Sequence, residues 1–413
     1  MTIIPSLLFG NEEWYYHQSF IIGLNLLYLF RYKLRLNLFR QIKKTSIYSA
    51  VIVLCLIFLL ELPRFLVNSD GRNLILTVLN AVAFVTFFYI MSDVFYRNTF
   101  TSGFRTAHQN FLKIYVIWAS FIVIASVSVF ILTSLRIIDP TAYAMPTNIS
   151  MNVNSNANEL GTQYFFPLHL TIVTSDNRGL PFFSNYGVFC GLSHEPHIAT
   201  YLVTPAFFLL QALNWSKRSK MILAGFFIFF MLLATSTTNL IAVMVVAFVV
   251  MVINIKNGHY AIVNIIFLLS VAFLFSFFTL NDLGFAAVKA KIDTSSGSSL
   301  DYSKNFLAHV VSPKEFWGDG AFNVPFPNAG VKDIGVLFSI LCIGFYILML
   351  IASIKLLLHP VRIIKFTGVA AFYFLLHTLK VVQLSLIYPY TIFIIFYVLI
   401  AFLAIKREVY KPA

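Results

Sequence analysis

The sequence predicts an all-α fold, a polytopic membrane protein of about eleven transmembrane helices with two long extracytoplasmic loops. Three observations lead there. Hydrophobic residues fill 59% of the 413 positions and charged residues only 11%, against about 25% charged in a soluble domain. So few charges cannot cover so much apolar surface in water. Apolar runs of a length to cross a bilayer core follow one another through most of the chain. The basic residues fall in short clusters between alternate runs, as cytoplasmic loops require.

In order, the runs are 17–32, 46–62, 73–91, 112–135, 196–213, 220–235, 238–254, 260–280, 334–356, 364–381 and 386–405. The first is the weakest, because its clean apolar stretch is short. The sixth and seventh are parted only by the hydroxyl-rich turn Ser236-Thr237-Thr238. Arg31, Lys33, Arg35, Arg40, Lys43 and Lys44 follow the first run. Arg97, Arg105 and Lys113 lie between the third and fourth, where Asp93 reads as a loop residue. Lys217, Arg218 and Lys220 separate the fifth and sixth, and Lys256 follows the seventh. Lys355, Arg362 and Lys365 follow the ninth, and Lys406, Arg407 and Lys411 end the chain. Alternate crossing puts every cluster on one face. The expected orientation is an extracytoplasmic N-terminus and a cytoplasmic C-terminus, with 1–413 forming one integral membrane domain.

Segments 136–195 and 281–333 then lie outside. Loops of such length are functional or disordered. The first holds an Asn-rich stretch, MNVNSNANELGT, that reads as mobile. The second opens Ser/Gly-rich, continues into a short amphipathic helix and ends in turn chemistry, WGDGAFNVPFPNAG.

Composition also excludes. The formal charge of +13 is a level seen in nucleic-acid binders, but no basic-aromatic surface module carries it. The three cysteines are scattered and give neither a disulfide framework nor a metal-ligand set. The N-terminus lacks the basic region of a cleavable signal peptide.

The chemistry concentrates in Arg178 to His197, RGLPFFSNYGVFCGLSHEPH, a polar loop entering an apolar helix near Pro196. Proline suits a first helical turn, so Glu195 sits at the cap. There it either complements the helix dipole or acts as an interfacial carboxylate that accepts a proton. His194 and His197 are three apart with a proline between, unlike the i, i+4 histidines of a helical zinc site. They read as polar groups for a substrate hydroxyl or phosphate, with no metal expected. Arg178 is a solvated loop residue or a fork for phosphate oxygens. Lys380 stands near the outer end of an apolar helix, with His377 three residues before it on the same face. It either snorkels to the headgroups or pairs with a ligand charge.

These motifs together resemble the O-antigen polymerase and O-antigen ligase superfamily. The shared features are Arg178, then Gly187-Val188-Phe189, then Glu195-Pro196 opening a helix; the hydroxyl segment Thr235-Ser236-Thr237-Thr238; Ser295 to Ser299; the amphipathic stretch Tyr302 to Val311; Gly318-Asp319-Gly320; and Asp333-Ile334-Gly335-Val336-Leu337. The match covers roughly residues 160–350. Where the family often has an arginine in the second loop, this chain has Lys289, Lys291 and Lys304. Asn328 lacks the neighbouring histidine common in ligases, which favours polymerase.

The resemblance implies a GT-C-like membrane enzyme of the bacterial inner membrane without a cofactor. It would transfer a glycan from an undecaprenyl-pyrophosphate-linked oligosaccharide to a sugar hydroxyl of another lipid-linked repeat. Glu195 and His194 would be catalytic. Arg178, Lys304, Lys291 and Lys380 would hold the pyrophosphate, and His197 and His309 the glycan. Its partners would be membrane lipids, a chain-length regulator and a flippase. The alternatives are a ligase delivering the glycan to lipid A-core and a polysaccharide flippase. A flippase would place charges within spans and show repeated halves; here mid-span charges are scarce, the polar mass lies in two outer loops and no internal repeat stands out.

Overall fold

A computed structural model describes residues 23, 27, 88, 90–139, 142, 144–150, 160–166, 170–174, 188–191, 196–234, 236–256, 336–378 and 389–410. They are predominantly helical. The helices are α1 (90–102), α2 (Phe104–Ser134), α3 (Pro196–Leu210), α4 (Lys217–Leu233), α5 (Thr237–Lys256), α6 (Val336–Leu357), α7 (Arg362–Thr378) and α8 (Pro389–Lys406). Seven of the expected apolar runs therefore coincide with helices. The runs 46–62 and 260–280 lie outside the described residues, as do nearly all of 17–32 and, except for residues 88, 90 and 91, all of 73–91. The chain divides into two compact units, Met1–His108 with Tyr302–Leu348 and Val381–Leu399, and Gln109–Asp301 with Met349–Lys380 and Ile400–Ala413.

In the first unit the expected cytoplasmic loop 92–111 is not a loop. Helix α1 runs on to residue 102, and Gly103 alone separates it from α2. Asp93 is helical rather than a loop residue, and its carboxylate meets the Arg97 guanidinium one turn later at 3.0 Å. That i, i+4 pair lets the helix continue past the apolar run. Gly103 adopts φ +81°, open to glycine and strained for other residues. The Gly103 N–H caps α1 on the Thr99 carbonyl at 2.9 Å, and Ala107 already bonds back to Gly103 at 3.0 Å. Edge-to-face rings close the bend: Phe95 stands 5.2 Å from Phe104 and 5.9 Å from Phe396 on α8.

Helix α2, of 31 residues, is the one described helix that is long and apolar enough by length and composition to cross a membrane. Its exposed side carries Ile114, Ile117, Phe121, Ile124 and Ile131, with Ser128 completing the stripe between the last two. Its buried side carries Tyr115, Ser120, Ser126 and Thr133 among small and aliphatic residues. That arrangement reverses a soluble helix, which turns its polar face outward. Ile241, Val245, Phe248 and Val252 make a second exposed stripe on α5, and Ile347, Ile351 and Ile354 a third along α6.

The second unit adds what the sequence reading lacked. Segment 136–195 holds a four-stranded antiparallel sheet in the order β1-β2-β3-β4: Ala144–Ser150, Leu160–Phe166, Leu170–Thr174 and Val188–Gly191. The strands alternate too weakly to stand out beside the apolar runs. Phe166 pairs with Leu170 at the β2–β3 hairpin, and both are buried. Strand β4, which carries Val188 and Phe189, packs against α3 and α4. The Asn-rich residues 151–159 lie outside the described residues.

Helix α7 packs on α3 and α5. Gly368 makes its close approach to the end of α6 possible. A Cβ there would overlap the Leu357 backbone nitrogen and lie 2.7 Å from the Leu356 carbonyl carbon.

Candidate functional site

Helix α3 starts at Pro196, the position its sequence dictates. Strand β4 ends at Gly191, so the four residues 192–195, which contain His194 and Glu195, join sheet to helix. One turn into α3 stands Thr200, and one turn further Thr204. Both are fully buried. Pro205 follows inside the helix and supplies no N–H to the turn before it. Two tyrosine hydroxyls reach carbonyls of that turn from other helices. Tyr115 of α2 donates to Leu202 O at 2.6 Å, and Tyr373 of α7 lies 3.4 Å from Thr200 O. Neighbouring hydroxyls are a known means of satisfying backbone groups near a proline in an apolar bundle.

Helix α5 enters the same cluster with its first turn. Ser236 is its cap, its hydroxyl accepting the Asn239 N–H at 3.3 Å. The Asn239 side chain is fully buried. Its Oδ1 accepts from Thr204 Oγ1 at 3.0 Å and from the Tyr373 hydroxyl at 2.5 Å. Both lone pairs of that oxygen are then used. Its Nδ2, with two N–H donors, is enclosed and has no acceptor. Helix α7 contributes Tyr373 and, one turn on, His377, also fully buried. His377 Nε2 lies 3.5 Å from Thr200 Oγ1. Rings wall the cluster: Tyr201 stacks tilted on Phe374 at 4.9 Å and on His377 at 5.3 Å, and Phe208 faces Tyr373 at 5.6 Å.

Four helices thus bring Tyr115, Thr200, Thr204, Asn239, Tyr373 and His377 into one buried polar cluster. Enclosed hydrogen-bonding groups of this kind fix helix positions and orient whatever they bond. No carboxylate of the described residues is shown bonded to Asn239, Thr204 or Tyr373. Among the described residues no group of three or more His, Cys, Asp or Glu stands ready for a metal ion.

Of the residues singled out from sequence, Arg178, His194, Glu195, Lys291, Lys304, His309 and Lys380 lie outside the described residues. His197 belongs to the first turn of α3. His377, noticed only as a neighbour of Lys380, proves to be a member of the cluster. Thr200, Thr204, Asn239 and Tyr373 were missed. Their signal was present: single polar residues inside apolar runs are functional candidates by default. The hydroxyl segment 235–238 was noted, and Asn239 is the next residue.

Comparison with protein-family models, with curated proteins and with solved structures finds no match for this chain.

Proposed function

We propose that this chain is a multi-span glycosyltransferase of the bacterial inner membrane that polymerises lipid-linked oligosaccharide repeats at its outer face. In this reading about eleven helices cross the bilayer, with the N-terminus outside and the C-terminus in the cytoplasm. The exposed apolar stripes of α2, α5 and α6, set against buried polar groups, support a lipid-facing body. Lys220 lies within electrostatic reach of Arg362. Two clusters that the charge pattern assigns to the cytoplasmic side therefore share one end of the second unit.

The observation that carries the proposal is the meeting of Thr200 with His377. Thr200 is five residues after Glu195, and His377 is three before Lys380. The proposed base and one proposed cation therefore attach to helix ends that touch. In the reaction, the acceptor hydroxyl oxygen attacks the anomeric carbon while Glu195, helped by His194, takes its proton. The anomeric carbon–phosphate oxygen bond breaks, and polyprenyl pyrophosphate leaves with the electron pair. Arg178, Lys291, Lys304 and Lys380 meet that charge, which strengthens as the bond breaks. His197 and His309 hold glycan hydroxyls.

Complementation of a deletion strain tests this. Arg178→Ala and Glu195→Ala should each lower the yield of long polymer by about 100-fold, the scale of losing a catalytic base or an oxyanion donor. Unchanged polymer length and yield in both variants would remove the assignment. In the deletion strain, single capped repeats mean polymerase. Lipid-linked polymer without capping would mean ligase, and lipid-linked units held inside would mean flippase.

A further inference from the structure

We infer that the Asn239 amide, in the first turn of α5, is a binding point for an anionic oxygen of the substrate's diphosphate. This rests on the membrane-transferase reading above and adds a contact that the sequence reading did not contain. The argument begins from an imbalance. Asn239 Oδ1 has both its acceptor positions filled by Thr204 and Tyr373, whereas Nδ2 has neither donor used. The residue is fully buried. An enclosed, unpartnered amide costs about 1–3 kcal/mol. A residue that served only to tie helices would not need its donor half, because threonine or serine could accept the same hydroxyls without leaving two N–H groups empty.

The vacant partner must be an acceptor, since Nδ2 only donates. The surroundings favour a negative one. Asn239 stands at the N-terminus of a 20-residue helix, where the macrodipole carries partial positive charge. Among the described residues the polar members of the cluster are hydroxyls, an amide and an imidazole. Tyr373 and Thr204 fix the amide plane from the Oδ1 side, so the donors are held in place before a ligand arrives. The neighbouring helix ends lead to Glu195 and Lys380, where the leaving group is already proposed to sit. A diphosphate anchored on a lipid tail meets all these demands: it is anionic, rich in acceptor oxygens and delivered within the bilayer. A neutral sugar hydroxyl meets only the acceptor requirement.

Binding measured on the full chain in lipid nanodiscs tests the assignment. The probes are a short polyprenyl diphosphate, the matching monophosphate and the matching alcohol. Asn239→Leu removes both halves of the amide at similar volume. Asn239→Thr keeps an oxygen to accept from Thr204 and Tyr373 and removes the two N–H donors. Asn239→Leu and Asn239→Thr should each bind the diphosphate at least about 10-fold more weakly, the scale of one hydrogen bond to a charged group. Asn239→Thr should keep a melting temperature closer to the parent's than Asn239→Leu does. The alcohol should bind all three proteins alike. If either variant binds diphosphate as tightly as the parent, the amide only ties helices and the inference fails. If the parent protein binds no diphosphate, the transferase reading fails with it.

Discussion

Ser216 and Ser236 begin successive helices by the same device in opposite settings. Ser216 Oγ accepts the Ser219 N–H at 3.1 Å at the start of α4, and Ser236 Oγ accepts the Asn239 N–H at 3.3 Å at the start of α5. In each the hydroxyl reaches three residues ahead and satisfies one orphan donor. The first turn of α4 carries Lys217, Arg218 and Lys220 and faces outward. In the first turn of α5, Asn239 is sealed among α3 and α7. Capping chemistry is therefore indifferent to its surroundings, whereas the cost of leaving a polar group without a partner is not. Water can serve Ser219 if its cap is lost, but nothing serves Asn239 except its neighbours. The buried start is where polarity must have a purpose.

Substitutions can break or sharpen this contrast. The largest effect is expected from Asn239→Ala, which strands the Thr204 and Tyr373 hydroxyls. It should cost about 2–4 kcal/mol in unfolding followed in detergent, while Ser219→Ala stays within about 0.5 kcal/mol. Equal effects would remove the distinction between the two helix starts. Gly368→Ala comes next. The added methyl meets the backbone of Leu356 and Leu357, so α7 must shift and take Tyr373 with it. About 1–3 kcal/mol is expected, and a variant as stable as the parent would show that α7 is not pinned there. Removing the caps should separate the two starts more finely. Ser236→Ala should cost about 1–2 kcal/mol and Ser216→Ala about 0.5–1 kcal/mol, read as melting temperatures under one condition.

The smallest effect concerns a turn at the exposed end. His359, between α6 and α7, accepts the Val361 N–H on Nδ1 at 3.2 Å. Burial holds its pKa below the ordinary 6.5. The folded protein therefore prefers the neutral ring, and the unfolded chain binds the proton more readily. The stability from this preference is fully present above pH 6.5 and declines as pH falls below it. His359→Asn keeps an acceptor for Val361 and removes the titration. Its melting temperature should fall less steeply than that of the parent between pH 6.5 and the depressed value. Identical slopes would show that His359 is not the titrating group.

Much of the helical body is legible in the sequence, because apolar runs and a proline at position 196 are strong local signals. The start of α3 is read to the residue. The ends of α1 and α2 are misread for a physical reason: hydropathy marks where a segment turns polar, whereas a helix stops only where its backbone must. The Asp93–Arg97 pair carries α1 past its apolar run, and Gly103 sets the stop. The sheet in 144–191 is missed because short strands are decided by pairing across distant sequence. Segments 144–150 and 160–164 find each other only in three dimensions. The cluster around Asn239 is half legible. A lone asparagine after a hydroxyl-rich turn is visible in sequence, but Thr204 and Tyr373 come from 35 and 134 residues away.

Pro205 lies inside α3, which runs as one helix from Pro196 to Leu210, and supplies no N–H to the turn before it. That turn is also tied sideways, by the Tyr115 hydroxyl of α2 on the Leu202 carbonyl. The cross-tie couples the half of α3 that leads back to Pro196 to α2, so a substitution at Tyr115 is felt at the mouth of the helix without any change in α3 itself.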